Sequence, residues 1–501
     1  MLVPLLAAAV ALAPASPRRR GRRTTVVLLV ALSADLLAGG LSLARGPLEW
    51  KVGSVVVAHE GALAFMTALV ATVIGVTVAS YAGRNLEAYA AERDVQIATG
   101  LVVAGAVWLS LAVELPLVAL GWWLGALGAQ VALRSGGPLL RRARRTLVAA
   151  DLLVAAVVAI AWSAPGSLDL AHLAPAGLAG VVVAVGLVAA ALLRAGQFPG
   201  PVWLASTAAT PTPVSALLHA GVVSAGGLVL LRCGVLLRQV PVASLLLLAA
   251  SLVTAGRATL AMRVRPDRKG MLAISTGAQL GVALAMVGVG APLAAASHLL
   301  GHGLYKANGF LDAGSSTERS AEVRRFDHPM AGRSRAAVGA AVAALPVLGF
   351  WWWLAPTGPG ALSFTVAALA ALALAMGLGA AAAPRPRSWP VAAVALLGVD
   401  AYLVVVRGLE RSLSAGLRPA TAAWWPLEVA VAVLLSWWVV LAVAPRRPQL
   451  SRRLWVLAAA ASSLDPLPSR SRRARATSAR QGLEGTAQVA TPSPVEVPVA
   501  T

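Results

Sequence analysis

An all-α polytopic membrane protein of about 14–15 transmembrane helices is the fold class this sequence predicts, on three observations. Of 501 residues, 58% are hydrophobic and only 12% charged, whereas a soluble domain carries about 25% charged residues to cover its surface. The mean hydropathy is +0.78, and the apolar residues fall in runs of the length that crosses a bilayer. The basic residues sit in short clusters between those runs, where a membrane protein keeps its cytoplasmic loops. The same clustering argues against nucleic acid as the partner of the net charge of +22; membrane lipid is the expected surroundings. One cysteine, Cys233, excludes a disulfide within the chain and any multi-cysteine metal site.

Spans are read near 2–16, 24–43, 58–82, 96–112, 115–133, 147–164, 174–193, 203–236, 243–262, 270–289, 291–313, 334–354, 361–382, 389–407 and 422–444. The first run is not a signal peptide, because Arg18, Arg19 and Arg20 follow the apolar stretch instead of preceding it. With the N-terminus outside, the clusters Arg18–Arg23, Arg134–Arg145, Arg263–Lys269, Arg319–Arg335, Arg385–Arg387 and Arg446–Arg453 all fall inside, and Arg407 to Arg418 is the main exception. This places the chain in an inner membrane, multi-pass, with a cytoplasmic C-terminus. The organisation expected is N-terminal membrane helices over 1–57, a core over 58–355 and C-terminal membrane helices over 356–462. A disordered basic cytoplasmic tail follows over 463–501, where Ser, Arg, Pro and Thr replace the apolar runs.

Ionisable residues inside apolar spans carry the functional signal. Only three lysines occur, Lys51, Lys269 and Lys306; the first two are read in loops and the third well inside a span. A lysine at mid-membrane costs about 2.5–3.5 kcal/mol on insertion scales. In a chain whose default cation is arginine, it stands out because an ammonium can give up a proton and a guanidinium cannot. His298, His302 and Lys306 follow one another at intervals of four, which puts them on one helix face. The row reads either as hydrogen bonding to Ser, Thr or Gln of a neighbouring helix or as a proton path, and three such residues on one face favour the path.

Other candidates stand singly. His219 lies in the segment PTPVSALLHAG from Pro211, whose two prolines predict a broken or kinked helix. Arg194, just before Gln197 and Pro199, is either a loop arginine reaching for water or a buried cation. Asp151 follows a run of arginines near a span start, a placement that also suits the helix dipole. Glu114, Asp400 and Glu428 lie in or near apolar segments as possible accessory acids, with Asp35 and Glu60 behind them.

Two blocks carry a resemblance. The segments TPTPVSALLHAGVVSAGGLVLLR (210–232) and STGAQLGVALAMVGVGAPLAAASHLLGHGLYKANGFLDAGSS (275–316) resemble the proton-conducting membrane transporter family. That family includes the antiporter-like subunits of respiratory complex I and the cation–proton antiporters. The wording HAGxxxxGG and HxLYKAxxFLxxGS resembles one branch in particular, the membrane subunit of bacterial inorganic-carbon accumulation complexes. The resemblance covers roughly 58–355. It implies an antiporter-like fold with two inverted five-helix repeats, broken helices at mid-membrane and a hydrated axis of Glu, Lys and His. Lys306 matches the family's central lysine, flanked by His298 and His302, while His219 matches the histidine after PTPVSAL. Arg194 falls at the lysine before the element that reads GQFP here.

The departures are as informative. The acid of the family's GWE element is missing, for the chain reads Gly121-Trp122-Trp123, and Glu114 is nine residues too early to be assumed its substitute. The stretch after Pro346 runs into Trp351, Trp352 and Trp353. A reduced path for protons or cations, coupled to a partner, is the expectation. The resemblance implies a large cytoplasmic zinc-binding subunit similar to a β-type carbonic anhydrase, which would hydrate CO2. This chain has no ligand cluster at zinc spacing and no Gly-rich phosphate loop, so no cofactor of its own is expected. Two alternatives remain: a cation–proton antiporter or complex I chain L-like subunit, and a non-conducting membrane scaffold.

Overall fold

The computed structural model describes residues 2–315 apart from 53–54, 88, 90, 135–139, 198–201, 263–264 and 266, together with 449, 453, 454, 456 and 457. Asp400, Glu428, the four spans expected from 334 onward and the tail lie outside the described residues.

The chain opens with α1 (Leu2–Leu12) and α2 (Pro17–Arg45), the latter started by a proline in its first turn after Ser16. A run of spans follows: α3 (Ala62–Asn85), α4 (Ala91–Leu111), α5 (Leu115–Ala132), α6 (Arg141–Ser163) and α7 (Gly177–Arg194). The next crossing is fragmented into α8 (Val202–Ser206), a 3-10 turn (Thr207–Ala209), α9 (Thr212–Ala220), a second 3-10 turn (Val222–Ser224), α10 (Ala225–Arg232) and α11 (Gly234–Gln239). Pro211 and Pro213 break the first joint, as the sequence predicts. Then come α12 (Pro241–Met262), α13 (Arg268–Gly288) and α14 (Pro292–Ser315). The Asp267 carboxylate accepts from the Gly270 N–H and caps α13 at 2.7 Å.

Nine helices among the described residues are long and apolar enough to cross a membrane. Two expected spans differ. The 11 residues of α1 rise roughly 16 Å, about half a hydrocarbon core, and the helix packs along α4 instead: a side chain at Gly100 would strike the Ala8 backbone at 2.4 Å. The helix α14 is 24 residues long, but its His, Lys, Asn and Asp residues hold down its hydropathy.

The all-helical expectation also fails locally. Residues 48–60 form an antiparallel hairpin, β1 (Leu48–Val52) and β2 (Val55–Glu60), with a bulge at Trp50/Lys51. The expected span from 58 begins at Ala62 instead, the 57/58 boundary falls inside β2, and Lys51 lies in β1. The hairpin joins a main-chain strap. The Val113 N–H donates to the Val57 carbonyl, Leu170 to Val113 and Leu115 to Leu168. The α2–α3, α4–α5 and α6–α7 connections are thereby laced together.

The other end of the bundle is arginine-rich. Arg20 pairs with the fully buried Glu92 at 2.5 Å, and Arg144 bonds Gln130 at 3.0 Å. Between the two ends the core is apolar, and α4 meets α5 glycine to glycine. A side chain at Gly105 would lie 2.5 Å from the Gly125 nitrogen, and one at Gly121 would lie 2.6 Å from the Leu109 nitrogen. This close crossing sets the height of Trp122, the residue after Gly121.

Candidate functional site

Two buried cations organise the interior, each on its own set of helices. The first is Arg194, the last residue of α7, 1% exposed and therefore not a snorkelling loop arginine. The chain turns away directly after it through Gly196 at φ +63, a conformation that suits glycine. The Arg194 Nε donates to the Val222 carbonyl at 3.2 Å, and one Nη donates to the Trp122 carbonyl at 3.2 Å and to Asp151 at 3.4 Å. Its guanidinium lies 4.2 Å from the Trp122 ring centre. The Trp122 indole N–H donates to the same Asp151 carboxylate at 2.8 Å, and the Trp123 indole donates to the Asp151 carbonyl at 3.3 Å.

Asp151 therefore sits well within α6, across from the element that lacks its acid, and is not a helix-start residue serving the dipole. Glu114 does not join it. It is the N-cap residue of α5 at the hairpin end, bridged through its backbone to Asp169.

The second cation is Lys306 on α14, fully buried. Its ammonium donates to the Ser275 hydroxyl at 2.5 Å and the Leu272 carbonyl at 2.9 Å, both on α13. One turn earlier the His302 Nδ1 lies 3.1 Å from the Gln279 side-chain oxygen. His302/Lys306 and Gln279/Ser275 thus form two rungs between antiparallel helices. The expected single face is real for this pair, and His298 stands a turn further on, half-buried. Among the described residues no carboxylate pairs with Lys306; Asp312, further along α14, is taken by Arg268.

His219 links the two stations. It is fully buried on α9, three residues before the Val222 carbonyl that binds Arg194. Its ring stacks on Phe310 at 4.6 Å, one turn beyond Lys306, and its Nε2 lies 2.6 Å from the Thr207 hydroxyl. From there a knot of buried hydroxyls fills the proline break. The Thr210 and Ser215 hydroxyl oxygens lie 2.9 Å apart, and they lie 2.8 and 3.1 Å from the Thr207 carbonyl oxygen, so two protons are shared among three contacts. Lys269, read in a loop from sequence, is in the first turn of α13 and donates to the Thr210 carbonyl.

The partners Gln279, Ser275, Thr207 and Trp122 escaped sequence reading. Gln279 and Ser275 had a usable signal, since their spacing of four mirrors that of His302 and Lys306 on the next helix. Among the described residues no group of three or more His, Cys, Asp or Glu is placed to hold a metal ion.

Comparison with known proteins agrees with the motif reading. A family model described as "NADH:quinone oxidoreductase/Mrp antiporter, TM" matches residues 140–355. A probable inorganic carbon transporter subunit DabB2 of Halothiobacillus neapolitanus is 45% identical over 132 residues, 26% of this chain and 24% of that protein. A probable DabB of Bacillus subtilis is 36% identical over 180 residues, 35% of this chain and 34% of that protein. The NADH-quinone oxidoreductase subunit L of Campylobacter jejuni is 39% identical over 137 residues, 27% of this chain and 23% of that protein. These matches span between about a quarter and a third of the relatives' length. Among solved structures, a chain of the Mrp complex from Dietzia sp. superposes with a TM-score of 0.61 at 24% identity, covering 100% of this chain and 64% of that one. A chain of Thermus thermophilus respiratory complex I gives 0.52 at 20% identity, covering 92% and 98%. The chain is a multi-pass membrane protein with an antiporter-like fold, similar over residues 140–355 to the NADH:quinone oxidoreductase/Mrp antiporter transmembrane family.

Proposed function

We propose that this chain is the membrane subunit of an energy-coupled inorganic-carbon uptake complex. It passes protons through Lys306, His302 and His219 to a cytoplasmic partner that hydrates CO2. The observation that carries the reading is the setting of Lys306: a buried ammonium held by a hydroxyl and a carbonyl, with two histidines on neighbouring turns and helices. A cation with neutral partners can release its proton without stranding a buried counter-charge. His219 Nδ1 is buried with no partner among the described residues, as a proton-accepting nitrogen needs to be. The relatives named as inorganic carbon transporter subunits supply the substrate class.

Arg194 serves differently. Its guanidinium keeps its proton and is neutralised by Asp151. It is also the single charged residue lining a mostly apolar cleft that reaches Leu299 and Gly303 on α14. Apolar space stays dry and conducts no protons. The path is thus reduced to the second station, with His298 as its outer neighbour. By the positive-inside rule the arginine-rich end faces the cytoplasm of a bacterial cell and receives the partner, a large zinc-binding protein like a carbonic anhydrase. The division into 1–57, 58–355, 356–462 and 463–501 belongs to the same reading.

The test is Lys306→Ala at equal membrane abundance. Growth at ambient CO2 is lost, whereas growth equal to wild type overturns the proposal. The likeness to subunit L proteins favours a second reading, a cation–proton antiporter or complex I-like subunit. A Na+-dependent proton flux in vesicles selects it. A non-conducting scaffold is the third reading, selected by zero proton uptake from protein reconstituted with its partner.

A further inference from the structure

His219 has two ring nitrogens in unlike surroundings. Nε2 lies 2.6 Å from the Thr207 hydroxyl oxygen, while Nδ1 is buried with no partner among the described residues. Which nitrogen carries the proton follows from what else Thr207 does. Its hydroxyl oxygen lies 2.6 Å from the Leu204 carbonyl oxygen. Two oxygens so close need a proton between them, and a threonine hydroxyl has one to give. It goes to Leu204, so at His219 the same oxygen can only accept.

We propose that Thr207 is a positioning residue that holds neutral His219 in its Nε2–H tautomer, so that Nδ1 is the atom that takes up a proton. This rests on the proton-conducting reading and adds the atom at which the step occurs. Phe310, stacked at 22° to the ring, fixes the plane in which Nδ1 lies. Lys306 is near enough to act electrostatically on His219. Two of its three N–H groups are taken by acceptors on Ser275 and Leu272. In the transfer an Nζ–H bond of Lys306 breaks and an Nδ1–H bond of His219 forms, directly or through one water. The lysine becomes neutral, the imidazole becomes imidazolium, and the Nε2 proton stays against Thr207. Onward release toward the knot requires the Thr207 hydroxyl to turn its own proton away from Leu204.

The experiment uses full-length protein with 15N-labelled histidine in lipid vesicles, read by solid-state NMR beside proton uptake. Wild type is expected to show His219, assigned by its loss in His219→Gln, with a protonated Nε2 and an unprotonated Nδ1. Thr207→Val is expected to lose that single pattern and to slow proton uptake on the order of tenfold or more. Thr207→Ser, which keeps the hydroxyl, is expected to restore both. An Nδ1–H tautomer in wild type overturns the assignment, as does an unchanged signal and rate in Thr207→Val. The expected tautomer together with uptake indifferent to Lys306→Ala overturns the conduction reading and leaves the tautomer standing.

Discussion

Arg194 and Lys306 are both cations buried at the centre of a helix bundle, and they are held in opposite ways. Arg194 is clamped by a carboxylate, two carbonyls and an indole face. Among the described residues Lys306 donates to a hydroxyl and a carbonyl, with the Tyr305 ring centre 5.6 Å away. A buried ion pair resists change, because removing either partner strands the other. A buried ammonium among neutral groups has an exit, which is to lose its proton. The same architecture therefore holds one station that is rigid in charge and one that is able to switch. The side-chain chemistry decides which is which: a planar, permanently charged fork on one side and a titratable point charge on the other.

The largest expected effect comes from erasing that chemical difference. Lys306→Arg keeps the charge and removes the ability to release a proton; proton uptake by reconstituted vesicles should fall on the order of 100-fold or more. Retained uptake would mean that the two stations do not differ in the way described. Asp151→Ala attacks the rigid station and leaves Arg194 buried and unpaired. The expected loss is about 3–5 kcal/mol of stability, visible as a lower Tm in detergent. The double change Asp151→Leu with Arg194→Met should recover much of it.

Gly121→Val is a milder blow. The added side chain meets the α4 backbone and displaces α5, costing about 1–3 kcal/mol, while uptake per folded molecule through the Lys306 station persists. Smallest is Arg194→Lys, which keeps the charge pair and gives up the fork and the ring contact, about 1–2 kcal/mol by thermal unfolding. A large loss of proton uptake there would make the first station a conductor as well.

How much of this was legible depended on whether partners lay close in sequence. His298, His302 and Lys306 declared themselves because a four-residue period is written in the chain itself. The break before His219 was legible for the same reason, since Pro211 and Pro213 act locally. The Asp151–Arg194 pair joins positions 43 apart on separate helices; nothing in either neighbourhood announces the other. Without it, Trp122 and Trp123 look like a simple loss, although the Trp122 indole donates to the Asp151 carboxylate and the Trp123 indole to the Asp151 carbonyl. The hairpin was missed because Val55–Ala58 is as apolar as a span start, and a short β-branched run does not distinguish strand from helix by period. Glu114 lies beside an apolar run, and Pro116 two residues on marks the helix start that it caps.

The strap at the hairpin end has one more consequence. Its hydrogen bonds join main-chain groups, and the Leu115 and Leu170 side chains at its bonds are themselves packed in the core. A set of rods tied at one end behaves like a clothes-peg, and opens most readily toward the other, arginine-rich end. Amide hydrogen exchange along α5 and α6 would record this as a gradient, slow beside Val113 and Leu168 and faster toward Gln130 and Arg144.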